Sequence, residues 1–225
     1  MLNDQLLADE LSDVLAKAGF NQPYSKFPLP VLAEKSGLNL KGLQQLIRTS
    51  YLAPPIDLPQ GVHRIHMPYL DFSVNAWVYQ SGNRTTIIDC GQSAMDIIAI
   101  LKDLSLTPTH LLVTHTDPDH TGGYDALMEA FPHLTPIACE KIETGGHRTE
   151  HWSYYFPDDD ICFCGDSLYA GSMARPNVSL EKSLKSLHKL LDLPPETILC
   201  PGHGPPTTVM REREFNCFSG FSKVS

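Results

Sequence analysis

The segment from Val113 to Tyr124 reads "VTHTDPDHTGGY" and places His115, Asp117, Asp119 and His120 within six consecutive positions. Imidazole and carboxylate together form a donor set suited to zinc, iron or manganese. The segment is too short and too interrupted by Pro118 to be read as a helix. It is expected as a tight loop at a strand end that folds several side chains into one space. One loop cannot complete a coordination shell, so further donors are expected from other strand ends. Three fit: His147 in "TGGHRTEH", Asp166 in "CFCGDSLY" and His203 in "CPGHGPP". Each lies near an apolar run and is flanked by glycine, which lets the backbone approach a cation closely. Taken singly, any of these is an ordinary polar loop residue. Seven at strand ends of one chain, His115, Asp117, Asp119, His120, His147, Asp166 and His203, point to a metal site.

Such loops need a scaffold that ends several strands in one place. From Val62 onward strands alternate with helices. "VHRIHM", "SVNAWVYQ" and "RTTIIDC" are expected as consecutive strands with a Ser81-Gly82-Asn83 turn. "SAMDIIAILKDL" reads as a helix capped by Ser93, "THLLVTH" as a buried strand running into the donor cluster, "GGYDALMEAF" as a helix and "TPIACE" as a short strand. The strands "HWSYYF" and "DICFCGD", the helix "SLEKSLKSLHKLLDL" and the strand "TILCPGHGP" complete an α/β alternation.

Residues 1–60 follow another pattern. Leu2, Leu6, Leu7, Leu11, Val14 and Leu15 mark an amphipathic helix, and "LPVLAEKSGLNLKGLQQLIRT" has a break at Gly37 that outlines a helix-turn-helix. A DNA-reading module would need more basic side chains than Lys35, Lys41 and Arg48, so a small helical extension or cap is expected. "YLAPPIDLPQG" is a proline-rich linker to a main domain over 61–225.

Composition narrows the function classes. The 225 residues, 42% of them hydrophobic, can bury one substantial core, and a formal charge of −9 leaves no basic field for nucleic acid. The acidic N-terminal stretch lacks the pattern of a secretion signal or transit peptide, and no apolar run is long enough to span a membrane. Cys90, Cys139, Cys162, Cys164, Cys200 and Cys217 sit mostly in strand-like apolar stretches, as reduced and buried residues of a cytoplasmic protein do.

The succession "THTDPDHTGG", "GGHRTEH", "CGDSLY", "PGHGP" resembles the metallo-β-lactamase-fold hydrolases, whose motifs T-H-x-H-x-D-H-x-G-G, a G-H-T-type loop, G-D and G-H occur in that order. The resemblance covers about Val62 to Phe218. The ending "PGHGPPTTVMREREFNCF" is similar to the glyoxalase II-like branch, with its P-G-H-G-P-x-T-T segment and E-R-x-x-N-P-F-type tail. The resemblance implies a four-layer αβ/βα sandwich with metals in the cleft between its sheets. Carried across by position, it implies a first metal on His115, Asp117 and His147, a second on Asp119, His120 and His203, and Asp166 bridging both, with Asp119 also in a catalytic role. Two divalent ions so held make a nucleophile of a bound water near neutral pH and polarise a carbonyl. The implied activity is hydrolysis of a small ester or thioester.

Two departures qualify this. The family's second histidine is Asp117 here, a harder and more negative donor that favours iron or manganese relative to zinc. Only 26 residues separate His120 from His147, fewer than in glyoxalase II-like relatives, so an open pocket is expected. Two other readings follow. The superfamily's persulfide dioxygenases hold one ferrous ion on the counterparts of His115, His147 and Asp166, and a regulatory protein with a degenerate site would use the N-terminal helices as its partner surface. Among other candidates, His151 is expected beside the ligands or merely exposed, Cys162 and Cys164 as core residues on one strand face, and Tyr169 and Arg175 as groups that orient substrate. His63, His66, His110, His133 and His188 are expected at the surface or satisfied in the core.

Overall fold

In the computed structural model, residues 9–46, 53–137 and 139–221 are described. Leu2, Leu6 and Leu7 of the first expected helix, the end of the second helical stretch from Ile47, the linker's Tyr51 and Leu52, and Ala138 lie outside them. The extension forms α1 (Asp9–Lys17), α2 (Leu29–Ser36) and α3 (Leu40–Leu46). Pro28 and Pro30 open α2, where a missing N–H costs nothing, and Gly37 closes it at φ +77°, a conformation that favours glycine.

The first sheet follows in the order β1 (Val62–Tyr69), β2 (Phe72–Ser81), β3 (Arg84–Ile88), β4 (His110–Leu112). Its first two pairings are antiparallel and β3–β4 is parallel, the crossover being α4 (Met95–Asp103). After β4 come a one-turn helix α5 (Pro118–Thr121) and α6 (Tyr124–Ala130). The second sheet is β5 (Glu140–Glu143), β6 (Trp152–Phe156), β7 (Ile161–Gly165), β8 (Ile198–Pro201) and β9 (Thr207–Thr208) in that spatial order. A second parallel crossover, β7 to β8, runs through α7 (Leu180–Leu191), and α8 (Val209–Phe215) follows β9.

The period of two along each strand divides the interior into three apolar clusters. Along β2, Val74, Ala76 and Val78 pack with Ile97, Leu101 and Leu127 of the outer helices, whereas Trp77 and Tyr79 face the other way and meet Tyr154, Ile161 and Phe163 between the sheets. Along β7, Cys162 and Cys164 point outward to Leu184, Leu187 and Leu190 of α7. Helix, sheet, sheet and helix are thus stacked in four layers, as the motif order implied. Leu11, Leu15, Leu32 and Leu43 of the extension join that last cluster, so α1–α3 share a core with α7 and β7. Leu43 is wholly buried, and its truncation to alanine carries a cost of about 2–5 kcal/mol.

Three local expectations are corrected. The described residues of "TPIACE" do not pair as a strand before Glu140: Thr135 makes only an isolated bridge to His110, Pro136 has no N–H to continue a ladder, and β5 begins at Glu140. Pro118 does not exclude helix but starts the single turn α5 at its first position, with Asp117 before it in extended conformation. Ser93 lies one residue outside the cap of α4, which is Ala94, although its hydroxyl still accepts from Met95 N at 3.3 Å. Among the described residues no helix is long and apolar enough to cross a membrane.

Candidate metal centre

The loop after β4 is shaped by its backbone. His120 N and Thr121 N both donate to Asp117 O, at 2.9 and 3.0 Å, so one turn of α5 carries Asp117, Asp119 and His120 around a common space with His115. β7 ends at Gly165, φ +48°, where a Cβ would lie 2.6 Å from Thr114 Oγ1; only glycine lets Asp166 turn in. β8 leads into Gly202, whose absent Cβ would collide with Asp166 Oδ1 and sit 2.5 Å from His120 Cε1. The glycines of the "CGD" and "PGH" loops are therefore packing requirements of the centre itself.

All seven expected donors converge. Asp166, buried at the middle, has Oδ1 3.3 Å from His120 Nε2, and Oδ2 at 3.9, 3.8 and 3.4 Å from Nε2 of His115, His147 and His203. On one side Asp117 Oδ2 lies 3.5 Å from His115 Nε2 and 3.2 Å from His147 Nε2. On the other, Asp119 Oδ2 lies 3.3 Å from His203 Nε2 and 3.8 Å from His120 Nε2. Within each of the trios His115/Asp117/His147, Asp119/His120/His203 and His115/His120/Asp166, donor atoms lie within 4.8 Å of one another. The buried atoms His115 Nε2, His120 Nε2 and Asp166 Oδ1 have no hydrogen-bond partner. Orphaned acceptors aimed at one another are what a divalent cation satisfies, so the residues fit a metal.

Each imidazole is anchored through its other nitrogen. Nδ1 of His120 meets Asp89 Oδ2 at 2.8 Å, Nδ1 of His115 meets Thr114 Oγ1 at 3.0 Å, Nδ1 of His147 meets Arg175 O at 2.8 Å and Nδ1 of His203 meets Ser73 O at 2.6 Å. With a cation in place the proton stays on Nδ1, and every Nε2 presents a lone pair inward. Asp89 was not singled out from the sequence. It is buried at φ +60° and also accepts from Thr114 N at 2.7 Å and from Thr114 Oγ1. The only sequence signal is a single aspartate ending an apolar run in "TTIID". His151 is fully buried, not exposed: its Nε2 accepts from Asp166 N at 3.0 Å and its ring stacks on His115 at 4.7 Å. Burial, aided by the charge of His115, holds it well below the usual histidine range, which suits an acceptor. Tyr169 and Arg175 line the cleft. Cys162 and Cys164 are buried core thiols, and neither they nor His63, His66, His110, His133 or His188 belong to a donor cluster among the described residues. One of these departs from expectation: His188 Nε2 is buried without a hydrogen-bond partner.

Burial pushes the Asp166 carboxyl up, but the charges of His120 and His203 outweigh it and hold the group well below the ordinary range. Burial lowers His203, and its bonds to Asp119 and Asp166 more than reverse this, to about 10. Asp117 has its two oxygens divided between tasks. Oδ2 faces the imidazoles, while Oδ1 accepts from Arg148 Nε. The guanidinium offsets the charge that aspartate adds in place of histidine. Arg148 is 41% exposed, and replacing it with glutamine should tighten a divalent ion on this side by up to about tenfold, an effect that fades at high salt. Calorimetric metal titration at two ionic strengths checks it.

Residues 69–138 and 140–203 match the family model of the metallo-beta-lactamase superfamily, and the chain belongs to that superfamily, whose members bind divalent metals. It is 28% identical over 205 residues to the probable metallo-hydrolase YqgX of Bacillus subtilis (strain 168), covering 69% of this chain and 97% of that protein. It is also 28% identical over 166 residues to hydroxyacylglutathione hydrolase of Hamiltonella defensa subsp. Acyrthosiphon pisum (strain 5AT), covering 62% of this chain but only 65% of that enzyme. Among solved structures, TTHA1623 in a di-iron-bound form superposes with a TM-score of 0.64 at 25% identity, over 69% of this chain and 99% of that one.

Proposed function

We propose that the chain is a metal-dependent hydrolase of a small ester or thioester, acting like a hydroxyacylglutathione hydrolase. The observation that carries this reading is the second donor trio, Asp119, His120 and His203, assembled beside the first and joined to it by Asp166. A persulfide dioxygenase would need only His115, His147 and Asp166 and would leave that trio without a task. A degenerate regulatory site would not keep seven donors in register. Two divalent ions at these trios, zinc or, with the oxygen of Asp117 and a di-iron relative in view, iron or manganese, supply an acidified water and a polarised carbonyl.

The chain's own residues do the rest. Asp119 lines the cleft, and the bond from His203 and the charge of His120 outweigh its burial and keep it ionised, so its carboxylate can accept a hydrogen bond from the attacking water and orient it. Asp89, Thr114 and two backbone carbonyls hold the imidazoles in the tautomer that ligates. Phe72 and Tyr169 stand edge-on to His203 at 5.2 and 5.5 Å and form one wall of a cleft of about 620 Å³, a size suited to a small molecule. Arg175 is on the same rim, where it can meet an anionic end of the substrate. Metal-replete protein assayed on a panel of esters and thioesters should turn them over well above free metal, and chelation should abolish this. Full metal content without turnover of any member would overturn the proposal.

A further inference from the structure

Away from the ligands lies a buried carboxylate with no metal to hold. Glu212 in α8 is wholly inaccessible, and it accepts from Thr207 Oγ1 at 2.7 Å, Asn216 Nδ2 at 2.8 Å and Gly171 N at 2.8 Å. Burying an ionisable group is costly unless it is fully hydrogen-bonded, and here one of its bonds and those of its partner Asn216 reach into one short turn. In that turn Tyr169 and Ser172 exchange both backbone bonds at 3.0 Å, around Gly171 at φ +87°. Asn216, also wholly buried, donates to Ser172 O at 2.8 Å, and Cys217 N donates to Gly171 O at 2.9 Å. The same stretch of chain touches three metal-ligand side chains. It begins at Asp166, presents the Tyr169 ring to His203 and ends with the Arg175 carbonyl on His147 Nδ1.

The extension closes on the other side of this arrangement. Asn39 N donates to Cys217 O at 2.8 Å, Asn39 Nδ2 to Glu214 O at 3.0 Å, and Lys41 pairs with Glu214 at 2.7 Å. A Cβ on Gly42 would lie 2.6 Å from both Cys217 N and Phe215 O, so α3 seats there only because residue 42 is glycine. We propose that Glu212 and Asn216 form a clasp that positions the 166–175 loop against the metal ligands, and that the N-terminal extension, seated on the clasp through α3, is part of the apparatus that sets the cleft. Glu212, Asn216 and Gly42 are positioning residues; none touches the donors.

The test uses the full chain, metal-loaded, with hydrogen exchange, metal content and steady-state kinetics on the best small thioester of the panel. Asn216→Ala should speed exchange of the Gly171 and Ser172 amides by at least about tenfold over the general change, the effect of losing a buried hydrogen bond locally. It should raise KM about fivefold while kcat stays within about twofold, a split that mere loss of stability does not produce. Glu212→Gln, whose amide can still accept from Gly171 N and donate to Thr207, should behave as the parent chain. Gly42→Ala, distant from the cleft, should move the same amides and KM in the same direction, and it decides the matter alone if Asn216→Ala does not fold. Unchanged exchange at 169–172 with Gly42→Ala, or acceleration spread evenly over the protein, would overturn the proposal. The exchange arm needs no turnover, so it stands apart from the hydrolase reading.

Discussion

Asp166→Ala should release at least one metal from the protein and reduce hydrolysis by more than about a hundredfold, the upper end for losing a partner outside the ligand shell. The reason is geometric. One carboxylate faces all four imidazoles at 3.3–3.9 Å, so its removal takes a donor from both sides of the centre and leaves two cations facing a methyl group. In the metal-free protein the loss of this charge should cost some stability too, since its imidazole neighbours hold the carboxyl below its ordinary range. The two effects are readable as heat stability. Metal at a thousandfold excess over its dissociation constant stabilises a folded chain by about 4 kcal/mol, and the variant should lose most of that increment in addition to any fall in its chelated melting point. Two full metal equivalents in Asp166→Ala would contradict the assignment of the bridging role.

The parts of this centre that were legible in the sequence share one property: their signal is local. A donor next to glycine at the end of an apolar run is visible in "CGD" and "PGH" because close packing and ligation are demanded of adjacent residues. The strands of the first sheet were legible for the same reason, Val74, Ala76 and Val78 alternating with Trp77 and Tyr79 within a few positions. What was missed, or for His151 left open between a place beside the ligands and an exposed one, depends on contacts distant in sequence. Asp89 serves His120 from 31 positions away, His151 serves Asp166 from 15, and Glu212 serves Gly171 from 41. No spacing rule connects such pairs, since each exists only after neighbouring strands have paired and the helices and loops between them have packed. The misplaced strand at "TPIACE" has a third cause. Its apolar content satisfied the pattern, but Pro136 removed a ladder donor and the pairing moved on to Glu140–Glu143, where β6 offered an antiparallel edge.

Asp89 is where the unread part of the centre can be tested most severely. Its carboxylate takes His120 Nδ1 directly and His115 through the Thr114 hydroxyl; beyond the donor trio they share with Asp166, one histidine sits with Asp117 and the other with Asp119. Asp89→Ala should therefore weaken metal on both sides, by about 10–100-fold each. It also orphans the buried Thr114 N–H, which adds about 1–3 kcal/mol of lost stability even with metal removed. Asp89→Asn separates the two effects. Its carbonyl can still accept from Thr114 N, so the chelated protein should melt closer to the parent. Its NH2 then faces His120 Nδ1 and must find a lone pair there, which drives the imidazole proton to Nε2, the nitrogen aimed at the metal. The asparagine variant should thus be the more stable of the two in chelator yet no better at binding metal beside His120. Melting of chelated protein, paired with metal titration, reads both quantities, and parent-like metal affinity in Asp89→Asn would show that the tautomer is not set by this carboxylate.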